Sequence, residues 1–161
     1  MTEHADQTWP APHDWICDIC GDKISTPGVG HVIWRESDER PAHDFKIVHT
    51  SMDGRRCWTI AEQAGYRSSL PLEEFLGADG VALLLSWLSW GPVDGGGHPD
   101  VALQDLDDYV DLFRRLQTPY YEQARHRFRE PDVHESLVGV NPQYPYLPST
   151  LAKVVSQPGL A

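Results

Sequence analysis

Hydrophobic positions fall into two regimes along the chain. Before about residue 50 they occur in short runs that alternate or are continuous, and from Cys57 onward they recur at three- and four-residue steps. His31-Val32-Ile33-Trp34-Arg35 and Phe45-Lys46-Ile47-Val48-His49 are short and rich in β-branched and aromatic residues, which predicts two strands. The polar stretch from Glu36 to Pro41 between them predicts a long hairpin loop. Side chains alternate along a strand, so Phe45, Ile47 and His49 share a face. The two apolar members turn that face, and His49 with it, toward the interior.

The helical regime begins with a short helix over 58–65, stopped by Gly65. Ser69 and Pro71 introduce another turn or two over 72–76. Asp79 is positioned to cap a helix carrying Val81 to Trp90 and ending at Gly91-Pro92. Its apolar residues lie on all sides, which predicts a buried central helix. The connector at 94–99 is glycine-rich but has no following Lys-Ser/Thr and no preceding strand, so it does not read as a phosphate loop. Asp100 is expected to cap a long helix reaching Gln117, with Leu103, Leu106, Val110 and Phe113 as its apolar stripe. Thr118-Pro119 restarts a helix whose apolar face (Tyr121, Ala124, Phe128) runs to about Glu130. Prolines at 142, 145, 148 and 158 predict an irregular tail with one short helix over 150–155. The expected class is α+β: a leader at 1–13, a β-hairpin module at 14–66, a helical part at 67–138 and a Pro-rich tail at 139–161.

Composition narrows the function. Six Trp among 161 residues supply material for a real core, and 24 acidic against 13 basic side chains leave a net charge of −11. That field repels polyphosphate, so nucleic acid is disfavoured as a partner without a local basic patch. The start of the chain is polar and acidic, with no apolar signal region. The longest apolar run, 81–90, is about half of the ~20 residues that span a bilayer. A soluble, cytoplasmic protein is therefore expected, with no membrane association. Charge is unevenly placed: acids crowd 100–111, and Arg114, Arg115, Arg125, Arg127 and Arg129 follow. Helix-dipole matching accounts for this pattern. A sharper reading makes Tyr120, Arg125, His126 and Arg129 a contact surface for another protein, because Arg and Tyr are enriched at binding hot spots.

The specific chemical signal is Cys17-Asp18-Ile19-Cys20-Gly21. Two thiolates three positions apart can point at one centre from a tight knuckle, and a Gly after the second suits the positive φ of that turn. Three cysteines are an odd number for a disulfide scaffold. A tetrahedral structural metal needs two further ligands. Cys57 is the only other thiol and stands at a helix start, where the dipole favours a thiolate. The fourth ligand is expected to be His49, with His31 and His43 as competitors. One structural Zn2+ per chain follows. A thioredoxin-like pair would open a helix after a strand, whereas here Gly21 and a Ser-Thr-Pro-Gly turn follow. A full shell of three Cys and one His leaves no position for a catalytic water. His43, Asp44 and His49 around one strand leave a ββα-metal nuclease as a minor alternative.

The order Cys-x-x-Cys-Gly, hairpin, His49, then Cys57 at a helix start resembles a treble-clef or zinc-ribbon-like module over 15–66. The spacing of His49 and Cys57 departs from the usual second Cys-x-x-Cys. Residues 67–161 resemble no family with a known function. The resemblance implies a structural zinc scaffold used to bind proteins or nucleic acids. The expected role is a zinc-stabilised interaction or regulatory protein that acts on another protein rather than an enzyme, with a nucleic-acid-binding module as the alternative.

Overall fold

The computed structural model describes residues 9–94 and 103–158. The fold is α+β, with small sheets in the N-terminal half and mainly helices after them. β1 (Trp15–Ile16) and β2 (Lys23–Ile24) form a two-stranded antiparallel ribbon. β3 (Gly30–Ser37), β4 (Arg40–His49) and β5 (Ser68–Pro71) form an antiparallel sheet in the order β4-β3-β5. The central β3 buries Val32, Ile33 and Trp34 in succession, as a strand covered on both faces must.

Two local readings change here. The hairpin between β3 and β4 closes through Asp38 and Glu39 alone, because Glu36, Ser37 and Arg40 to Ala42 extend the strands. The segment holding Ser69 and Pro71, expected to open a helix, is the edge strand β5, where Pro71 pairs with His31. A proline is tolerated at the end of an edge strand because no ladder bond needs its missing N–H. The sheet thus continues past residue 66.

The β3–β4 register shifts between the pairs Ile33↔Lys46 and Arg35↔His43. Asp44 sits in this bulge at φ 53°. Its carboxylate accepts from the Tyr66 hydroxyl at 2.5 Å and Lys46 Nζ at 3.0 Å. The extra residue breaks the two-residue alternation between His43 and Phe45.

α1 (Cys57–Gln63) follows β4, and a 3-10 turn at Leu72–Phe75 leads into α2 (Gly77–Leu88). Asp79 lies in the first turn of α2 rather than at its cap, which is Leu76. Gly80 permits this tight entry: a Cβ there would stand 2.0 Å from the Phe75 carbonyl carbon. α2 is not buried all round. Gly80, Leu84 and Trp87 face the core, while Leu85 and Leu88 are about half exposed. The expectation failed because a uniformly apolar helix does not say how many neighbours will cover it.

α3 is Leu106–Gln117. Its cap is Asp105, which accepts from the backbone N–H groups of Asp107 and Asp108. Asp100 and most of the glycine-rich connector lie outside the described residues. The buried face of α3 is Tyr109, Leu112, Arg115 and Leu116, whereas Leu106 is 61% exposed and Val110 only half buried. The expected stripe was displaced because Tyr109 is buried and Leu106 is not.

One core joins Trp15, Ile24, Ile47, Leu72, Leu84 and Leu116 with an aromatic cluster of Trp34, Phe45, Phe75, Trp87 and Tyr109. Ring centroids in that cluster stand 4.9 to 6.2 Å apart, many of the pairs edge to face. α4 (Tyr121–Arg125), α5 (Pro131–Leu137) and α6 (Pro148–Ser156) enclose a second core of Tyr121, Ala124, Val133, Leu151 and Val154. α6 realises the short helix expected in the Pro-rich tail. α4 is preceded by Tyr120 at φ 65° instead of a Thr118 cap, and it stops at Arg125. Among the described residues no helix is long and apolar enough to cross a membrane.

Candidate metal centre

Four elements bring the three cysteines and one histidine together. Cys17 and Cys20 lie on the knuckle between β1 and β2, His49 ends β4, and Cys57 opens α1. The knuckle is closed by Gly21 N–H donating to Cys17 O and Cys17 N–H donating to Asp22 O, both at 2.9 Å, with Gly21 at φ 77°. One donor atom from each of Cys17, Cys20, His49 and Cys57 lies within 4.8 Å of all the others. His49 Nδ1 is 3.5 Å from Cys20 Sγ and 4.0 Å from Cys57 Sγ. Zinc bonds of about 2.3 Å to sulfur and 2.0–2.1 Å to nitrogen place tetrahedral neighbours roughly 3.5–3.8 Å apart. The group can hold one metal ion, and soft thiolates with an imidazole suit zinc.

The histidine is already oriented for this. His49 is buried, and its Nε2–H donates to the Lys23 carbonyl at 3.1 Å. That bond places the proton on Nε2 and leaves the Nδ1 lone pair facing the thiols, the usual way a ligating imidazole is fixed. The competitors point elsewhere. His43, thrown out of the alternation by the bulge at Asp44, directs Nδ1 to Pro41 O at 2.7 Å. His31 packs edge-on against Trp58, ring centroids 4.9 Å apart. Of the three residues of the nuclease alternative, Asp44 bonds to Tyr66 and Lys46, and His43 to Pro41, while His49 faces the cysteines.

Surrounding groups prepare the thiols. Cys57 is buried, and burial, together with its donation to Cys20 and Cys17, pushes its pKa up to about 12. Burial also works against a charge on Cys20. The Asp22 backbone N–H and the Cys57 and Cys17 thiols donate to it, however, and bring its pKa below the ordinary thiol value. Arg55 adds a cation beside this sulfur, with Nη1 3.6 Å from Cys20 Sγ and 2.5 Å from Asp22 Oδ2. A raised Cys57 pKa means that a metal binding there must displace its proton. Affinity is expected to rise by at least about tenfold per pH unit between pH 6 and 8, as one displaced proton requires. Chelator competition across that range measures the slope, and a flat profile would show that no thiol proton is displaced on binding.

Sequence reading missed the structure that braces the knuckle. Arg115, assigned only to dipole matching, is buried on α3. Its guanidinium donates to both carboxylate oxygens of Glu122 at 2.7 and 2.9 Å, to Asp18 Oδ2 at 2.8 Å and to the Ile16 carbonyl at 3.2 Å. Glu122 Oε1 also accepts from Ile16 N–H at 2.9 Å, and Trp15 Nε1 donates to the Arg115 carbonyl at 3.0 Å. Asp18 completes the lock on β4: its N–H donates to Ile47 O at 2.9 Å and its Oδ2 accepts from Ile47 N–H at 2.7 Å. Burial alone works against the Arg115 charge, but Asp18 and Glu122 overcome it and hold the guanidinium protonated. The available signal was Arg115 falling beside Leu112 and Leu116, at the edge of an apolar stripe.

The four residues of the expected partner surface do not share one helix. Arg125 ends α4, so Arg129 lies beyond it in a turn. Arg125 is partly buried, 3.3 Å from Asp111 and 3.9 Å from Glu122. Tyr120 packs edge-on against Trp9, while His126 and Arg129 are exposed. Many of the other basic groups are also engaged: Lys23 with Asp14, Arg35 and Lys46 with Asp44, Arg55 with Asp22, and Arg127 with Glu130. Scanned against family models, the curated proteins and the solved structures, the chain finds no match in any of the three.

Proposed function

We propose that the chain is a small cytoplasmic protein that binds other proteins and is stabilised by one structural Zn2+ held by Cys17, Cys20, His49 and Cys57. The observation that carries this reading is the Cys3His group, buried except at Cys20, with its histidine preset by the Lys23 carbonyl. Four protein donors fill a tetrahedral shell and leave no place for a reacting water. The metal's contribution is then folding energy. The order of knuckle, hairpin, His49 and Cys57 at the start of α1 supports a treble-clef-like arrangement with an unusually wide second ligand pair. A nucleic-acid-binding role is less well supported, because the net charge is −11 and many of the cations are paired within the fold.

Metal analysis of purified protein tests the zinc: one equivalent per chain is expected. His49→Ala should abolish stoichiometric binding and lower the melting temperature strongly, whereas His31→Ala and His43→Ala should retain the metal. If His49→Ala kept a full equivalent, the ligand set would be wrong. Affinity purification of the zinc-loaded protein from its native cells, before and after nuclease treatment, tests the binding role. A protein recovered in both samples supports it, and a partner lost with the nucleic acid would favour the alternative.

A further inference from the structure

α2 carries an apolar surface that the other described residues leave partly uncovered. Beside the buried row of Gly80, Leu84 and Trp87, the residues Val81, Leu85 and Leu88 form a second stripe at one-turn spacing. Leu85 and Leu88 are 50% and 46% exposed, and Val93 just beyond the helix is 96% exposed. Isolated exposed hydrophobics need no explanation. This stripe is different because no ionisable side chain occurs anywhere from Gly80 to Val93.

Along the chain, the charge flanking it has one sign, although Arg40 of β4 reaches Gln104 just before α3. Between Arg67 and Arg114 the chain has no Lys or Arg and nine acidic residues. Glu73, Glu74 and Asp79 stand exposed at the entry to α2. α3, packed on α2 through Tyr109 and Trp87, exposes Asp105 and Asp107 at its start. An uncharged apolar stripe within a wholly acidic segment repels a second copy of itself and matches a surface that pairs apolar residues with cations.

We propose that this face of α2 docks a basic amphipathic helix from a partner protein. The proposal rests on the protein-binding reading and assigns it a surface and a partner chemistry. α2 is 12 residues long, so the occupant would engage it over about three turns, with apolar anchors at i, i+3 or i+4, and i+7 and Lys or Arg along the flanks.

The test uses full-length zinc-loaded protein and a dye-labelled Leu/Lys peptide of about 18 residues patterned as an amphipathic helix. A scrambled isomer and a Leu/Glu counterpart serve as controls, and fluorescence anisotropy at physiological salt reads binding. The patterned Leu/Lys peptide is expected to bind at least about tenfold more tightly than either control. The double variant L85S/L88S should weaken it by a similar factor, as loss of two central apolar anchors does. Its melting temperature should stay close to wild type, because both side chains are already half in solvent.

Equal binding of the scrambled peptide would reduce the effect to charge and overturn the proposal. So would unchanged binding to L85S/L88S, a dimer in the wild type that the variant dissociates, or a large loss of stability in the variant, which would mean that the chain covers this face itself. If a cellular partner is still recovered with L85S/L88S, this surface is wrong and the protein-binding reading survives.

Discussion

Replacing Cys57 with Ser is expected to eliminate stoichiometric metal binding and to melt the N-terminal sheets. Cys57 is the buried thiol that joins α1 to the knuckle and to the end of β4. A hydroxyl at this position is a poor zinc ligand and leaves three donors for a four-coordinate ion. Zinc affinity in such sites is folding free energy, on the order of 10 kcal/mol in isolated fingers. Here apolar packing around Trp15, Ile24 and Ile47 shares the task, so the loss should be smaller than that but still among the largest for any single replacement. Far-UV circular dichroism with and without a strong chelator reads it directly. Chelated wild type and Cys57→Ser should melt alike, both well below the zinc-loaded protein. A variant that melted with the zinc-loaded wild type would remove the metal from the account of this fold.

The second large effect is expected at Arg115, far from the cysteines in sequence. Arg115→Met removes the bidentate partner of Glu122, whose side chain is only 2% exposed, and leaves its buried carboxylate with the Ile16 N–H and the more distant Arg125. Breaking a buried pair from one side costs about 3–5 kcal/mol. Asp18 is more accessible and should suffer less. The double variant Arg115→Met/Glu122→Leu should regain a good part of the loss, because replacing both charges removes the desolvation problem along with the attraction. Ile16 N–H would still lack its acceptor, so recovery should be incomplete. Urea titrations of the three proteins decide the matter. If Arg115→Met alone were nearly neutral, the network would be incidental to stability.

The metal group could be read from the chain because its signals are local. Cys-x-x-Cys-Gly encodes a knuckle by spacing, and Phe45, Ile47 and His49 share an inward face by simple alternation; all three are buried. It is His49 and not His43 that joins the cysteines, for a reason the sequence hid. The bulge at Asp44 turns His43 away, and nothing in the residues 43–45 announces a bulge. β5 was lost because Ser68–Pro71 is too short and too polar to stand out, and it becomes a strand only because β3 offers an edge. The faces of α2 and α3 were misjudged for a similar reason. Hydrophobicity reports which residues can be buried, and tertiary neighbours decide which are. Arg115 was illegible because its partners are supplied by α4 and by the knuckle.

Those partners have a consequence for how the chain assembles as it is made. The bonds from Arg115 and Glu122 to Ile16 and Asp18 join residues 97 to 106 positions apart, whereas the candidate metal donors all lie between Cys17 and Cys57. A nascent chain can therefore gather its four donors long before α3 and α4 have left the ribosome. Until then the knuckle lacks its guanidinium brace, and Trp15 lacks the carbonyl that accepts its indole N–H. Closing so long a loop is entropically slow. During synthesis the knuckle thus passes through an interval in which it is incompletely anchored, and docking of the C-terminal helices closes that interval.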